Sequence, residues 1–100
     1  MGKKRELISR EEGQEYAQVT RLPGNSNIEC KCADGVNRLC RIRGSMRRRM
    51  GTNRMNPGDI ILVSLREFGS DKGDVIHKYT SDEAFELQEK EEIPSKWKLN

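Results

Sequence analysis

The sequence predicts a mainly β protein in which five short strands close into a small barrel, followed by a C-terminal α-helix. Three observations lead to this fold class. Short apolar or alternating runs recur between residues 16 and 79 with turn residues between them. A break after the third run leaves space for one short helical turn, and a helical pattern begins only after the last run. Five strands with that interruption fit a Greek-key barrel of the OB type, and a simple meander barrel is the alternative.

Each strand has its own signal, and the predicted strands are residues 16–22, 28–33, 36–43, 59–65 and 75–79. Residues 28–33 alternate apolar with charged side chains, which is typical of a half-buried strand. Asp34-Gly35 is a strong hairpin signal between the second and third strands. The run Ile-Ile-Leu-Val within residues 59–65 predicts a strand buried on both faces. Residues 45–50 suit a single helical turn after the third strand.

A helical segment follows the last strand. Ser81 is expected to cap its N-terminus, with acidic residues in the first turn that suit the positive end of the helix dipole. Pro94 is expected to end it. The apolar side of this helix consists of Ala84, Phe85 and Leu87. The chain therefore divides into a loose N-terminal arm (residues 1–13), the barrel (residues 14–80) and a C-terminal helical segment (residues 81–100).

Charge is distributed unevenly along a chain that is long enough for one domain. The net charge is +3, and 35% of the 100 residues are charged. Residues 38–54 contain seven arginines and no acid, whereas residues 82–92 contain six acids and one lysine. Two such blocks on one small protein indicate two surfaces with different tasks.

Targeting signals are not found in this sequence. No apolar run approaches the roughly 18 residues that span a bilayer, and the N-terminus lacks the apolar core of a signal peptide. Three cysteines without a secretory signal indicate reduced thiols. We therefore expect a cytoplasmic protein without membrane contact.

Four side chains are candidate zinc ligands, namely Cys30, Cys32, Cys40 and His77. The usual zinc knuckle has two to four residues between its paired cysteines, whereas only one residue lies between Cys30 and Cys32. A two-residue turn at Asp34-Gly35 would place Cys40 opposite Glu29, on the other sheet face from Cys30, and a three-residue turn would undo this argument. We expect no metal or other cofactor, and interpret the cysteines as small apolar core residues.

Catalytic motifs are also missing from the sequence. It contains neither a G-x-S-x-G nucleophile motif nor a Walker-type phosphate loop. We therefore do not expect an enzyme.

The arginine block predicts a nucleic-acid contact. Arg47, Arg48 and Arg49 would lie about 100° apart on a helical turn, so they can grip phosphates on different sides of a groove. Arginine suits this contact because its planar fork pairs bidentately with phosphate. A merely solvated basic face is the alternative, and seven arginines on a barrel pattern favour RNA. The candidate RNA-binding residues are Arg38, Arg41, Arg43, Arg47, Arg48, Arg49 and Arg54.

Aromatic residues make up only 5% of the chain. We expect Tyr16, Phe68, Tyr79 and Phe85 to be core residues and leave Trp97 open. With so few rings, RNA binding should depend on phosphates and shape more than on base stacking.

Several stretches resemble eukaryotic translation initiation factor 1A, a family related to bacterial initiation factor 1, in order and over roughly residues 4–100. The most specific stretches read GQEYAQV, RLCRIRG and DIILVSLR. The resemblance implies an OB-fold that binds the small ribosomal subunit at the aminoacyl (decoding) site. It also implies support for initiator tRNA recruitment, scanning and start-codon selection.

The same resemblance implies particular partners and residues. Arg47, Arg48 and Arg49 match the family's basic run at the ribosomal RNA contact, and Arg38, Arg41 and Arg43 match weaker candidates. The implied partners are small-subunit RNA, the initiator tRNA complex and other initiation factors, bound by a monomer.

Two other functions stay open at this stage. A generic RNA chaperone of the cold-shock type would need exposed rings on the barrel strands. A protein-interaction adaptor that uses the acidic helix would keep its partner after the arginines were removed.

Overall fold

The computed structural model describes residues 7–24, 27–42, 55–67 and 71–99. These residues form five strands and one helix in the order that the sequence predicts. The elements are β1 (Gln14–Gly24), β2 (Asn27–Cys32), β3 (Asn37–Ile42), β4 (Ile60–Leu65), β5 (Lys72–Lys78) and α1 (Ser81–Glu89).

The five strands form a closed barrel in the order β1-β2-β3-β5-β4. Strands β3 and β5 pair in parallel, and all other neighbours are antiparallel. The long strand β1 pairs with both β2 and β4, and register shifts after Val19 and Arg21 let it bend around the barrel. The prediction of a mainly β, OB-fold-like barrel with a C-terminal helix is confirmed. The helical turn predicted at residues 45–50 lies outside the described residues.

Strand β4 is buried on both faces, as its apolar run predicts. Ile61 and Val63 belong to the cluster inside the barrel. Ile60 and Leu62 point outward and belong to a second cluster beneath α1. Successive side chains of a strand point to opposite faces, so this strand contributes to two cores at once.

The second cluster joins the helix and the C-terminal residues to the barrel. Its buried members are Tyr16, Ile60, Leu62, Tyr79, Ala84, Leu87, Ile93 and Trp97. The prediction that Tyr16 and Tyr79 are core residues is confirmed, and Trp97 joins them. The same prediction is wrong for Phe85, which is 54% exposed on the outer side of α1. Phe68 lies outside the described residues.

The β2–β3 hairpin has a three-residue turn. Cys32 N–H donates to the carbonyl of Val36, and Gly35 at φ +89° supplies the left-handed residue that such a turn needs. The register therefore pairs Ile28 with Cys40, and Cys30 with the residue two positions before Cys40. The expected pairing of Cys40 with Glu29 is wrong because the turn has one residue more than the sequence argument assumed.

Helix α1 begins one residue earlier than expected. Thr80, and not Ser81, is the N-cap. Its hydroxyl accepts from Glu83 N–H at 3.2 Å, and its own N–H donates to the Glu83 carboxylate at 2.9 Å. This reciprocal pair is a capping box, which requires an acid or amide three residues after the cap. Thr80 meets that requirement, whereas Ser81 is followed at that distance by Ala84.

The helix ends well before Pro94, so the predicted stop is wrong. Lys90 is the C-cap, and the chain then turns at Glu91, whose φ of 60° is left-handed. The N–H groups of Glu91 and Glu92 donate to the carbonyls of Gln88 and Leu87 at 3.0 and 2.9 Å. These two bonds form a Schellman motif, which ends a helix without proline.

Residues 7–13 are attached to the barrel, so the prediction of a loose arm is wrong for this part. The hydroxyl of Tyr79 donates to the carbonyl of Ile8 at 2.6 Å. The hydroxyl of Tyr16 accepts from Arg10 N–H at 2.9 Å. The division of the chain into arm, barrel and helical segment stays a prediction. Within the described ranges, no helix is long and apolar enough to span a membrane.

Candidate nucleic-acid interface

A basic groove of about 340 Å³ lies beside the parallel pair of strands. Arg41 of β3, Lys72 of β5 and Arg66, the residue after β4, contribute its positive charges. Leu39 and Gly73 contribute to its walls. We call this feature the basic groove. It brings together cations from three parts of the chain.

Strand alternation decides which side chains of β3 reach the groove. Leu39 and Arg41 are exposed, whereas Arg38 and Cys40 between and beside them are buried. The two predicted arginines of β3 therefore lie on opposite faces of the strand. Only Arg41 faces the basic groove.

A close approach of β4 and β5 shapes the same groove. A Cβ atom at Gly73 would lie 2.7 Å from the carbonyl oxygen of Ser64, which no real side chain tolerates. Glycine therefore permits the strands to pack here. Next to it, the Asp74 carboxylate lies 3.3 Å from a guanidinium nitrogen of Arg66, and Arg66 remains half exposed. This ion pair orients Arg66 while leaving part of its fork accessible.

Arg38 is a buried residue of the hairpin. Its guanidinium forms two contacts of 3.0 Å with the Asp34 carboxylate, and its side chain is only 2% exposed. Burial alone would raise the pKa of Asp34, but the Arg38 fork and the Val36 N–H outweigh burial and hold this pKa below its ordinary value. Burial likewise opposes the charge of Arg38, and the hydrogen bond to Asp34 more than compensates and raises its pKa. This arginine is thus committed to the turn.

The remaining predicted contacts are Arg43, Arg47, Arg48, Arg49 and Arg54, and all five lie outside the described residues. Residues 43–54 connect the end of β3 to Met55. The chain leaves β3 at Ile42, which packs against the barrel core, and returns at Met55, which is buried in the same core. The arginine block is therefore connected to the end of the strand that carries Arg41.

The cysteines meet inside the barrel. The sulfur atoms of Cys30 and Cys40 are 3.5 Å apart, and all three thiols are free and buried. The sequence argument had placed Cys30 and Cys40 on opposite faces of the sheet. The three-residue turn shifts the register by one residue and puts both side chains on the inner face. Among the described residues, no group of three or more histidine, cysteine, aspartate or glutamate side chains is arranged to hold a metal ion.

His77 lies apart from the cysteines. Its ring packs edge-on against Tyr79 with centroids 4.6 Å apart, and its Nε2 atom is 3.9 Å from the Glu83 carboxylate. These contacts connect the end of β5 to the first turn of α1. Through these contacts His77 helps to hold α1 against the barrel.

Arg66 and Lys72 were not among the residues predicted from the sequence. Each lies at the end of a strand and beside an acidic residue, and charge density alone favoured residues 38–54. The expected topology could have predicted these two residues, because the fifth strand of an OB-type barrel pairs with the third. That pairing brings Lys72 next to Leu39.

Known proteins with similar sequences belong to one family. A family model described as "Translation initiation factor 1A / IF-1" matches residues 4–100. The "Eukaryotic translation initiation factor 1A" of Schizosaccharomyces pombe is 56% identical over 97 residues, covering 97% of this chain and 68% of that protein. The protein of the same name from Triticum aestivum is 50% identical over 97 residues, covering 97% and 65%. This chain spans about two thirds of the length of these eukaryotic relatives.

More distant relatives give the same family. The "Translation initiation factor 1A" of Desulfurococcus amylolyticus is 40% identical over 91 residues, covering 91% of this chain and 76% of that protein. Among solved structures, the solution structure of the translation initiation factor IF-1 from a Wolbachia endosymbiont of Brugia malayi has a TM-score of 0.50 at 25% identity. It covers 67% of this chain and 77% of the other.

Proposed function

Because the chain belongs to the translation initiation factor 1A / IF-1 family, we propose that it binds the small ribosomal subunit at the aminoacyl (decoding) site through its basic barrel surface. A role in translation initiation follows from the family. At the subunit, the protein supports initiator tRNA recruitment, scanning and start-codon selection together with other initiation factors. We expect it to act as a monomer in the cytoplasm, without a cofactor. The family is non-enzymatic, and we expect no catalysis from this chain.

The basic groove is the observation that supports this proposal most directly. Arg41, Arg66 and Lys72 lie around one concave surface, so they can meet phosphates of an RNA strand at separate points. The arginine block of residues 43–54 continues from the same strand β3. Arg38 takes no direct part in this proposal, because its guanidinium is held by Asp34.

The described aromatic rings favour a phosphate contact over base stacking. Tyr16, Tyr79 and Trp97 are buried beneath α1, and the exposed ring of Phe85 belongs to the acidic helix. Within the described parts of the chain, the basic groove is not lined by an aromatic ring. A cold-shock type of RNA chaperone binds through stacked bases, so the groove supports that alternative less well.

One observation favours the adaptor function as a second candidate. Phe85 is 54% exposed on α1 and has acidic neighbours such as Asp82 and Glu89 three and four residues away. Residues at those spacings lie on one helix face. A partner with a basic and apolar surface would fit this face, independently of the arginines.

Co-sedimentation with purified small ribosomal subunits at several salt concentrations tests the proposal. Replacing Arg47, Arg48 and Arg49 together with alanine removes up to three phosphate contacts. The slope of log affinity against log salt should then fall by about 2–3, and binding at moderate salt should fall by at least about tenfold. In a second variant, Arg41→Ala with Lys72→Ala, the slope should fall by about 2.

A matched control removes the same charge from another side of the molecule. Lys90, Lys96 and Lys98 are exposed after the end of α1, and their joint replacement with alanine should leave the salt slope nearly unchanged. Circular dichroism should show that every variant is folded, because replacing an exposed side chain such as Arg41 or Lys72 changes stability by at most about 0.5 kcal/mol. Equal binding by the parent, the triple arginine variant and the Arg41/Lys72 variant would refute the proposed surface. Lysine at positions 47, 48 and 49 should give intermediate affinity, because charge is kept while the bidentate geometry is lost.

A further inference from the structure

Two thiols meet inside the barrel at a distance that permits covalent chemistry. Cys30 of β2 and Cys40 of β3 are each 1% exposed, and their sulfur atoms are 3.5 Å apart. Cys30 is paired across the hairpin with Arg38, and Cys40 with Ile28. The two cysteines are therefore diagonal neighbours on the inner face of the same strand pair, and their sulfur atoms point toward each other.

We propose that Cys30 and Cys40 form a reversible disulfide when the protein meets a thiol oxidant. The bond would shorten the sulfur–sulfur distance from 3.5 Å to about 2.05 Å, so the two strands must move slightly closer together as it forms. The resting state is the dithiol, since all three cysteines are free. This modification site does not depend on the RNA-binding function proposed above.

The surroundings of the two thiols give them different parts in the reaction. Cys40 is among the residues that line the basic groove although its side chain points into the barrel, so it is the first thiol that a small oxidant reaches when the strands open briefly. Cys30 lies behind it. Hydrogen bonds with Cys32 and Cys40, together with burial, raise the pKa of Cys30, so this thiol is protonated at rest.

A small organic disulfide is a sufficient oxidant. Cys40 loses its proton to water, and its thiolate attacks one sulfur of that disulfide, whose S–S bond breaks and releases one thiolate that takes up a proton. Cys30 then loses its proton to water and attacks the sulfur of Cys40. The mixed disulfide breaks, and a second thiolate leaves. The two protein thiols supply two electrons, and the oxidant is reduced to two thiols.

Cys32 is the competing partner. It lies on the same inner face as Cys30, two residues along β2. The hydrogen bond from Cys30 and the nearby guanidinium of Arg38 lower the pKa of Cys32 in spite of its burial. The lowered pKa would therefore favour Cys32, which also hydrogen-bonds to Cys30, whereas the sulfur–sulfur distance of 3.5 Å favours Cys40. Whether Cys30 becomes bonded to Cys40 or to Cys32 therefore shows which of these two effects controls the reaction.

Mass spectrometry of the native protein tests the pairing. The reduced protein is incubated with hydroxyethyl disulfide, remaining thiols are alkylated in denaturant, and the chain is digested with trypsin. Cleavage after lysine and arginine places each cysteine in a separate peptide, namely residues 22–31, 32–38 and 39–41. The expected product is the first peptide joined to the third, with the loss of two hydrogen atoms, while Cys32 is alkylated. Dithiothreitol should restore three alkylated cysteines.

Two comparisons make the outcome decisive. A Cys32→Ala variant should still form the bond at a similar rate. Oxidation in denaturant should instead give mixed pairings, because only the native barrel selects Cys40. The proposal is overturned if the folded parent keeps three free thiols after oxidation. It is also overturned if Cys32 is the main partner, or if the native and denatured chains give the same mixture.

Discussion

Glu91 has a left-handed backbone conformation, which is sterically unfavourable for a residue with a side chain. Its φ of 60° is left-handed, where a Cβ atom crowds the following carbonyl. The Schellman motif nevertheless holds it there, because its N–H and that of Glu92 satisfy carbonyls of the last helical turn. Residues 91 and 92 thus turn the chain so that Ile93 can join the cluster beneath the helix.

Replacement of Glu91 with glycine should therefore stabilise the protein. Glycine adopts positive φ without steric cost, and after its greater freedom in the unfolded chain is subtracted, about 0.5–1 kcal/mol should remain. Urea unfolding measures this difference. The matched control is Glu89→Gly, which places glycine within the helix and should destabilise it by about 0.5–1 kcal/mol. A loss of stability in both variants would contradict the assigned strain.

At the level of elements, the β2–β3 hairpin depends on one ion pair. Asp34 lies in the turn, and Arg38 reaches back to it from β3 with a nearly buried side chain. The pKa of Asp34 is lowered in the folded state, so the pair stabilises the fold above the unfolded-state pKa. This contribution starts to decline as the pH falls below the unfolded-state pKa of about 4, and it is lost as the pH falls through the lower folded-state pKa.

An Asp34→Asn variant should show this dependence. It leaves the Arg38 charge buried without its carboxylate, and because Asp34 is about one-third exposed we expect a loss of about 1–3 kcal/mol at pH 7. Urea titrations at pH 7 and pH 3 compare the variant with the parent, and the difference should narrow at pH 3. As a control, Glu29→Gln removes the exposed pair with Arg21, where the charges are 3.8 Å apart, and should change stability by less than about 0.5 kcal/mol. A pH-independent difference would show that the charge of Asp34 is not the cause.

The same hairpin shows how far sequence reasoning reaches. The two strands and the glycine of their turn follow from alternation and composition, and β4 follows from its apolar run. The number of residues in the turn does not, because Ala33, Asp34 and Gly35 are compatible with turns of two or three residues. Because the turn has three residues, the register differs by one residue from the expected one. This difference places Arg38 on the buried face and brings Cys40 close to Cys30. The groove-lining Arg66 and Lys72 escaped prediction because only barrel closure brings them near β3.

At the level of the whole molecule, the acidic helix and the basic groove lie against different strand pairs of the barrel. The acidic helix covers the outer face of β1 and β4 through Tyr16, Ile60 and Leu62. The basic groove lies at the β3–β5 pair. At physiological salt, charges are screened over about 8 Å, which is small beside the molecular extents of 39 × 29 × 24 Å. The two surfaces should therefore act independently.

Neutralising the helix tests that independence. Glu86, Glu89 and Glu92 are exposed, and their joint change to glutamine should alter subunit affinity by less than about threefold at physiological salt, because salt screens their effect on the groove. The alanine variant at positions 47, 48 and 49 provides the contrast, with a loss of at least about tenfold. A large loss of subunit binding in the glutamine variant would instead assign the contact to the helix, as the adaptor function requires.

The double pairing of β1 also determines when the chain can fold during its own synthesis. Its partner β2 follows directly, but its other partner begins with Ile60, and Gln14 is paired with Ser64. The β1–β2–β3 meander must therefore wait with two open edges until β4 and β5 have left the polypeptide exit tunnel. Such late, non-local closure is typical of barrels that fold in milliseconds to seconds. Until the barrel closes, those open edges are the part of the nascent chain most in need of protection from neighbouring strands.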